Sequence, residues 1–365
     1  MAVSRINEAG LNVNQYGNRN VIYNGAMKVA QRGTSSTGLG AAAGYFTCDR
    51  WYINSANTAG RLTMSQDSDG PSGFANCIKL DCTTADTSIA SNESLRLIQR
   101  FEGQDLQRFA KGTSAAKEFT VSFYVKANAA FTFGCELFDN DNSRQISKTF
   151  STTTDWVRHE ITFPADTTGA FADDNALSLQ LQFWLHAGSD FTSGTLNSTS
   201  WASNTDANRA VGIGSFFSST SNDFYITGVQ LEVGDTATDF EHRTFADELA
   251  RCQRYYSVLD SSFSNGAYYR YCNAFMNAAT AAQGTYHFPV EMRATPTLTA
   301  SGTIAVYDGT NVINASSVAL TNDGSGKQFA SIAVTSIAAG AVQYRPCVIL
   351  SSGNTTSKIE FNAEL

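Results

Sequence analysis

Charge is scarce in this chain. Asp, Glu, Lys and Arg make up 16% of its 365 residues, against about 25% in an average soluble protein. The net charge is −8, so the basic surface that a phosphate backbone requires is missing and no nucleic-acid partner is expected. No run approaches the roughly 18 apolar residues of a membrane span. The opening stretch MAVSRINEAGLNVNQYGNRN has no apolar segment of the kind a secretion signal needs. Neither membrane insertion nor export by the general secretory route is expected. Seven cysteines (Cys48, Cys77, Cys82, Cys135, Cys252, Cys272, Cys347) form no C-x-x-C and no even framework. They read as free thiols of a chain folded in a reducing cytosol, with a Cys77–Cys82 disulfide as the alternative.

Signs of catalysis are equally sparse. His159, His186, His242 and His287 are scattered, and "GIGSF" is not the G-x-S-x-G turn of a hydrolase nucleophile. There is no P-loop, and no G-x-G-x-x-G in a strand-to-helix setting. Two carboxylates at a set distance suffice for a glycosidase, but 33 acids always offer such a pair. The expectation is a protein that is not an enzyme.

What the chain does have is period-two alternation. In LSLQLQFWLHAG, Leu177, Leu179, Leu181, Phe183 and Leu185 alternate with Ser178, Gln180, Gln182, Trp184 and His186, the pattern of a half-buried strand. "EFTVSFYVKA" points Phe119, Val121, Phe123 and Val125 inward, and Tyr124 and Lys126 outward. "WVRHEITF" and "DFYITGVQLEVG" read as strands, and Asp139 to Asn142 supply a hairpin turn. Many short strands with Gly/Asn turns predict an all-β sandwich.

Residues 1–20 read as an extended arm that orders against a partner, and 21–242 as the main β-domain. A helix is expected over 243–259, with Thr244 as N-cap and Phe245, Leu249, Cys252, Tyr256 and Leu259 as its buried stripe. Residues 260–365 return to strands, with a hairpin at Asp308-Gly309. Ile359, Phe361, Ala363 and Leu365 share one face and need a partner within the domain or across a subunit interface.

Several segments together resemble a known group: "NRNVIYNGAMKVAQRGTS", "YFTCDRWYI", "RLIQRFEGQDLQRFAKGTSAAKEFTVSFYVKA", "GSDFTSGTLNSTSWAS", "YITGVQLEVGDTATDFEHRTFADELARCQRYY" and "FPVEMRATPTLTASG". They look like bacteriophage tail-fibre and related virion proteins built around a carbohydrate-binding-module-like jelly roll. The resemblance implies a jelly-roll β-sandwich, a linker helix and a small C-terminal β-sandwich that forms a homotrimer. It further implies a virion assembled in the host cytoplasm and released by lysis, with the N-terminal arm docked on other virion proteins. The implied role is host attachment through cell-surface polysaccharide. A purely structural component (adaptor, shaft or head decoration) is the alternative, and a polysaccharide depolymerase the third reading. Asn20, Asn24 and Gly25 match the N-x-x-x-N-G of such jelly rolls, and Val229 and Leu231 their last strand. Gly228 replaces the usual acid there, which puts the structural Ca²⁺ of these modules in doubt.

Two readings compete for Trp184. On a polar face with Gln180, Gln182 and His186, its indole can stack on a pyranose while the amides read hydroxyls; Tyr124 and Lys126 would extend the platform if the two strands share a sheet. Alternatively Trp184 lies under the 188–208 loop or in a subunit contact. Trp201 either anchors that loop or presents itself to ligand. Trp51 and Trp156 read as core or rim. Asp139 and Asp141 are the Ca²⁺ candidates, although acidic pairs of this kind also mark turns. No other cofactor is expected.

Overall fold

The computed structural model describes residues 17–263, 266–321, 324–335, 337 and 341–365. Most of the expected docking arm, residues 1–16, lies outside them. The chain divides into two compact units, the first ending at Glu248 and taking in Leu365, the second running Leu249–Glu364.

The first unit is a sandwich of two antiparallel sheets. One is six-stranded, in the order Ser35–Leu39, Arg61–Asp67, Cys77–Thr84, Asp223–Val233, Phe119–Ala127, Val157–Phe163. The other is seven-stranded: Ala202–Ser203, Arg144–Ser151, Thr132–Asp139, Leu177–Ala187, Ser94–Glu102, Tyr52–Ala56, Gly44–Tyr45. Alternation builds the core as expected. Phe119, Val121, Phe123 and Val125 from the first sheet meet Leu179, Leu181, Phe183 and Leu185 from the second in one buried cluster. Phe123 and Phe183 touch edge to face at 5.0 Å. Each fully buried side chain of this size contributes about 1.5–3 kcal/mol, so the alternating rows hold the two sheets together. The hairpin after Asp139 also forms; its Oδ1 accepts the Asn142 amide at 3.0 Å.

The first described segment is latched to the last strand of the sandwich. Asn20 Oδ1 accepts the Ile22 and Leu231 amides at 2.9 and 3.1 Å. The Asn24 side chain bonds Val29 through both its oxygen and its nitrogen, and also donates to the Asp49 carbonyl. A Cβ on Gly25 would lie 2.2 Å from the Val229 carbonyl oxygen, so only glycine permits this approach. Asn20, Asn24 and Gly25 therefore close the fold.

The helix is shorter than its periodicity predicts. It runs Phe245–Gln253, and the Thr244 hydroxyl accepts the Asp247 amide at 3.2 Å as an N-cap. Phe245, expected in the buried stripe, is exposed. The helix stops because Tyr256–Asp260, an aromatic and β-branched stretch, instead pairs with Lys358–Asn362.

In the second unit, Tyr256–Asp260, Lys358–Asn362 and Thr297–Ser301 form a three-stranded sheet. It shares a core with a seven-stranded sheet ordered Val312–Asn314, Ile304–Tyr307, Pro346–Ser351, Arg270–Ala278, Ala281–His287, Phe329–Thr335, Ser317–Leu320. The C-terminal strand finds its partners inside the unit, with Ile359 and Phe361 fully buried. The hairpin at Asp308-Gly309 forms, with Gly309 at φ +91° and Asp308 Oδ1 accepting the Thr310 and Asn311 amides.

Candidate functional site

The sugar platform expected on the seven-stranded sheet is not available for stacking. Trp184, Gln182 and His186 lie on the outward face but are buried within this one unit, and Gln180 is half-buried. The segment that follows the strand folds back over them. Phe191 packs against the indole at 5.2 Å, and two guanidiniums, Arg96 and Arg209, lie 4.7 and 5.0 Å from its ring centroid. The indole N–H donates to Glu136 Oε2 at 2.7 Å, while Arg209 grips the same carboxylate with two nitrogens, at 2.8 and 3.0 Å. Gln182 accepts from Arg96, whose other arm reaches Asn54. The polar face pairs with itself, which is what burial of charged groups demands. Of the two readings for Trp184, the structure shows burial under the 188–208 loop, and it takes Trp184, Gln182 and His186 out of ligand contact.

His186 completes a second chain: Nδ1 lies 2.8 Å from Ser215 Oγ and Nε2 3.1 Å from Glu93 Oε2. Burial holds the imidazole below the usual histidine range, against the pull of Glu93 and Asp86. The ring is neutral, accepting from Ser215 and donating to Glu93. Serine, histidine and carboxylate are the members of a nucleophilic triad, but the ring nitrogens are exchanged relative to that template. The neighbouring Gly214 amide donates to the Thr132 carbonyl at 2.7 Å. The chain fixes the 215–217 turn to the sheet.

Trp201 anchors its loop. It is buried, donates to the Pro164 carbonyl at 2.8 Å and packs on Phe119. Asp139 and Asp141 do not converge on a cation. Asp139 is buried against the Lys111 ammonium at 2.5 Å, and Asp141 accepts the Ala172 amide. Lys111 is itself buried; it also reaches Asp166 at 3.1 Å and the Thr168 and Gly169 carbonyls. Among the described residues no group of three or more His, Cys, Asp or Glu is placed to hold a metal. At Gly228, φ is +61° and a Cβ would meet the Phe74 ring at 2.8 Å, which explains why no acid stands there.

Tyr124 and Lys126 belong to the six-stranded sheet, so they cannot extend a platform on the other face of the sandwich. They point instead to a different site. In register across four strands stand Lys79, Tyr225, Lys126 and Trp156, which immediately precedes Val157. Lys126 Nζ sits 4.6 Å from the Tyr225 centroid and 5.4 Å from that of Trp156; Lys79 is 5.6 Å from Tyr225. The two rings meet edge to face at 6.2 Å. Asp69 pairs with Lys126, Asp81 with Lys79 at 3.7 Å, and Asp223 Oδ2 accepts the Tyr225 hydroxyl at 3.5 Å. All four members of the row are part-exposed. Burial and Asp223 raise the Tyr225 phenol above its usual range, so it stays a neutral donor. The row offers aromatic faces flanked by ammonium donors and carboxylate acceptors. In the sequence Trp156 reads as core or rim and nothing marks Tyr225 as part of a site; outward alternation flags Tyr225 and Lys126, but only strand order puts them in one line with Trp156.

No family model matches the chain, and no curated protein does. Among solved structures, it is similar to a CBM4 structure at 13% identity, covering 58% of this chain and 99% of that one, with a TM-score of 0.32. It is similar to the family 11 carbohydrate-binding module of the cellulosomal cellulase Lic26A-Cel5E of Clostridium thermocellum (11% identity, 57% and 98% covered, TM-score 0.28). It is also similar to the enzymatically active domain of bacteriophage CBA120 tailspike protein 4 (9%, 59% of this chain, TM-score 0.30), of which the match covers 21%.

Proposed function

We propose that the protein is a non-enzymatic, glycan-binding component of a phage virion, a tail fibre or receptor-binding protein that holds host-surface polysaccharide on the outer face of its six-stranded sheet. The observation that carries this reading is the Lys79–Tyr225–Lys126–Trp156 row. An open, shallow row of this kind binds one sugar weakly, and several copies in a homotrimer supply avidity. The N-terminal arm docks the trimer on the particle. Glycan-array binding of wild type against Trp156→Ala and Tyr225→Ala tests the site: each variant should lose at least about tenfold in apparent affinity with an unchanged melting temperature. Wild-type affinity in both variants would remove the row from the binding surface. Solution mass at micromolar concentration tests the trimer, and a persistent monomer would refute it.

The burial of Trp184 and His186 beneath their own chain favours one second reading, a purely structural virion component. It predicts no glycan signal from wild type at all.

A further inference from the structure

The second unit holds a cleft of about 220 Å³ lined by Tyr268, Arg270, Tyr307, Val312 and Leu350. Strand order assembles it. Arg270 opens its strand opposite Leu350, Leu350 lies opposite Ala305, and Tyr307 stands two residues further along, opposite Val312. These residues share the outward face of the seven-stranded sheet. Tyr268 is 55% exposed and Val312 40% exposed, so the mouth is open, while Leu350 is the buried floor. The Tyr307 hydroxyl donates to the Gly309 carbonyl at 3.0 Å, which fixes the edge of the cleft. Arg270 is exposed, and no side-chain hydrogen bond or ion pair holds its guanidinium among the described residues.

We propose that this cleft binds one carboxylate-bearing sugar ring, a hexuronate or sialate unit, with Arg270 on the carboxylate and the tyrosines against the ring. Size limits the occupant to a single ring, because pockets that enclose larger ligands run from roughly 300 to 1,000 Å³. Two phenol rings and two aliphatic side chains suit the apolar face of a pyranose. An uncommitted guanidinium suits a planar carboxylate, which it meets with two parallel N–H donors. The net charge of −8 repels polyanions at long range, so selectivity comes from this one local cation rather than from a general positive field. The cleft lies in a different unit from the Trp156 row and does not depend on it.

The test is calorimetric titration and saturation-transfer NMR of the full chain with methyl glucuronide, methyl glucoside, N-acetylneuraminic acid and inorganic phosphate. The glucuronide or the sialic acid should bind at least about tenfold more tightly than the glucoside, and phosphate alone should bind no better than the glucoside. Arg270→Gln should abolish the preference and Arg270→Lys should retain part of it, while Trp156→Ala should leave it intact. Arg270 is exposed, so both Arg270 variants should melt with wild type. Equal binding of acidic and neutral sugars, an unchanged preference in Arg270→Gln, phosphate binding as tight as the acidic sugars, or no binding by wild type would each overturn the proposal.

Discussion

Trp184 donates its indole N–H to Glu136 Oε2 at 2.7 Å, across two neighbouring strands of the seven-stranded sheet. Directly opposite Trp184 stands Gly134, where a Cβ would lie 3.1 Å from the Trp184 Cβ. Glu136 also carries Arg209, so one buried carboxylate satisfies an indole and a guanidinium. Trp184→Ala should destabilise the sandwich by about 3–5 kcal/mol through lost packing. Glu136→Ala should cost a similar amount, because it takes the buried carboxylate from Arg209 and the acceptor from the Trp184 indole, leaving Arg209 only the exposed Asp206 at 3.3 Å. Urea unfolding checks both; losses under about 1 kcal/mol would mean that the network is peripheral to stability.

Stability should fall in mild acid. His186 and His159 are held below the usual histidine range by burial, and His242 by burial and by Lys28. Below about pH 6.5 the unfolded chain therefore binds more protons than the folded one. The folded state is at full advantage above that pH and loses it as pH drops through the lowered folded values. Asp166 adds a second loss at lower pH. Burial raises its pKa, but Arg144, the Thr168 amide and Lys111 outweigh that and bring it below the usual carboxylate range. Urea midpoints should decline from pH 8 to pH 5.5 and again below about pH 4; a midpoint that rises on acidification would contradict the assignment.

Lys111 supplies the positive charge between Asp139 and Asp166. Lys111→Met should cost about 3–5 kcal/mol by leaving the buried Asp139 carboxylate without its ammonium, while Asp166 keeps Arg144 at 2.8 Å. Millimolar Ca²⁺ or EDTA should leave the wild-type melting temperature unchanged. A clear rise with Ca²⁺ would show that a metal binds elsewhere in the chain.

Gly228→Asp, which restores the acid usual at this position in the jelly rolls the sequence resembles, should destabilise by about 1–3 kcal/mol from its positive φ alone, with added conflict against Phe74. It should gain no Ca²⁺ affinity by calorimetry. A stabilised variant would overturn this account of the position.

Alternation made the strands readable. Leu179 to Leu185 and Phe119 to Val125 stand where a period of two puts them, facing one core. It did not reveal what covers the other face. Gln182 and Trp184 alternate like solvent-facing residues, yet Phe191 and Arg209, from a loop with no periodicity, close over them. Pairing partners were equally hidden: Tyr124 and Trp184 lie on opposite outer faces of the sandwich because strand order, not sequence order, assigns them to sheets. The helix ended early for a similar reason. Tyr256 and Leu259 fit helical spacing, but Lys358–Asn362, a hundred residues away, recruits them into a sheet.

Asn20 and Gly25 meet the strand that carries Val229 and Leu231, more than two hundred residues downstream. A nascent chain emerging from the ribosome cannot complete this closure until that distant strand has been synthesised. The opening segment must wait, bonded to water, while the strands between the two partners pair. Folding governed by so remote a contact is slow, and removing the opening segment would leave the groove beside Val229 without its cover.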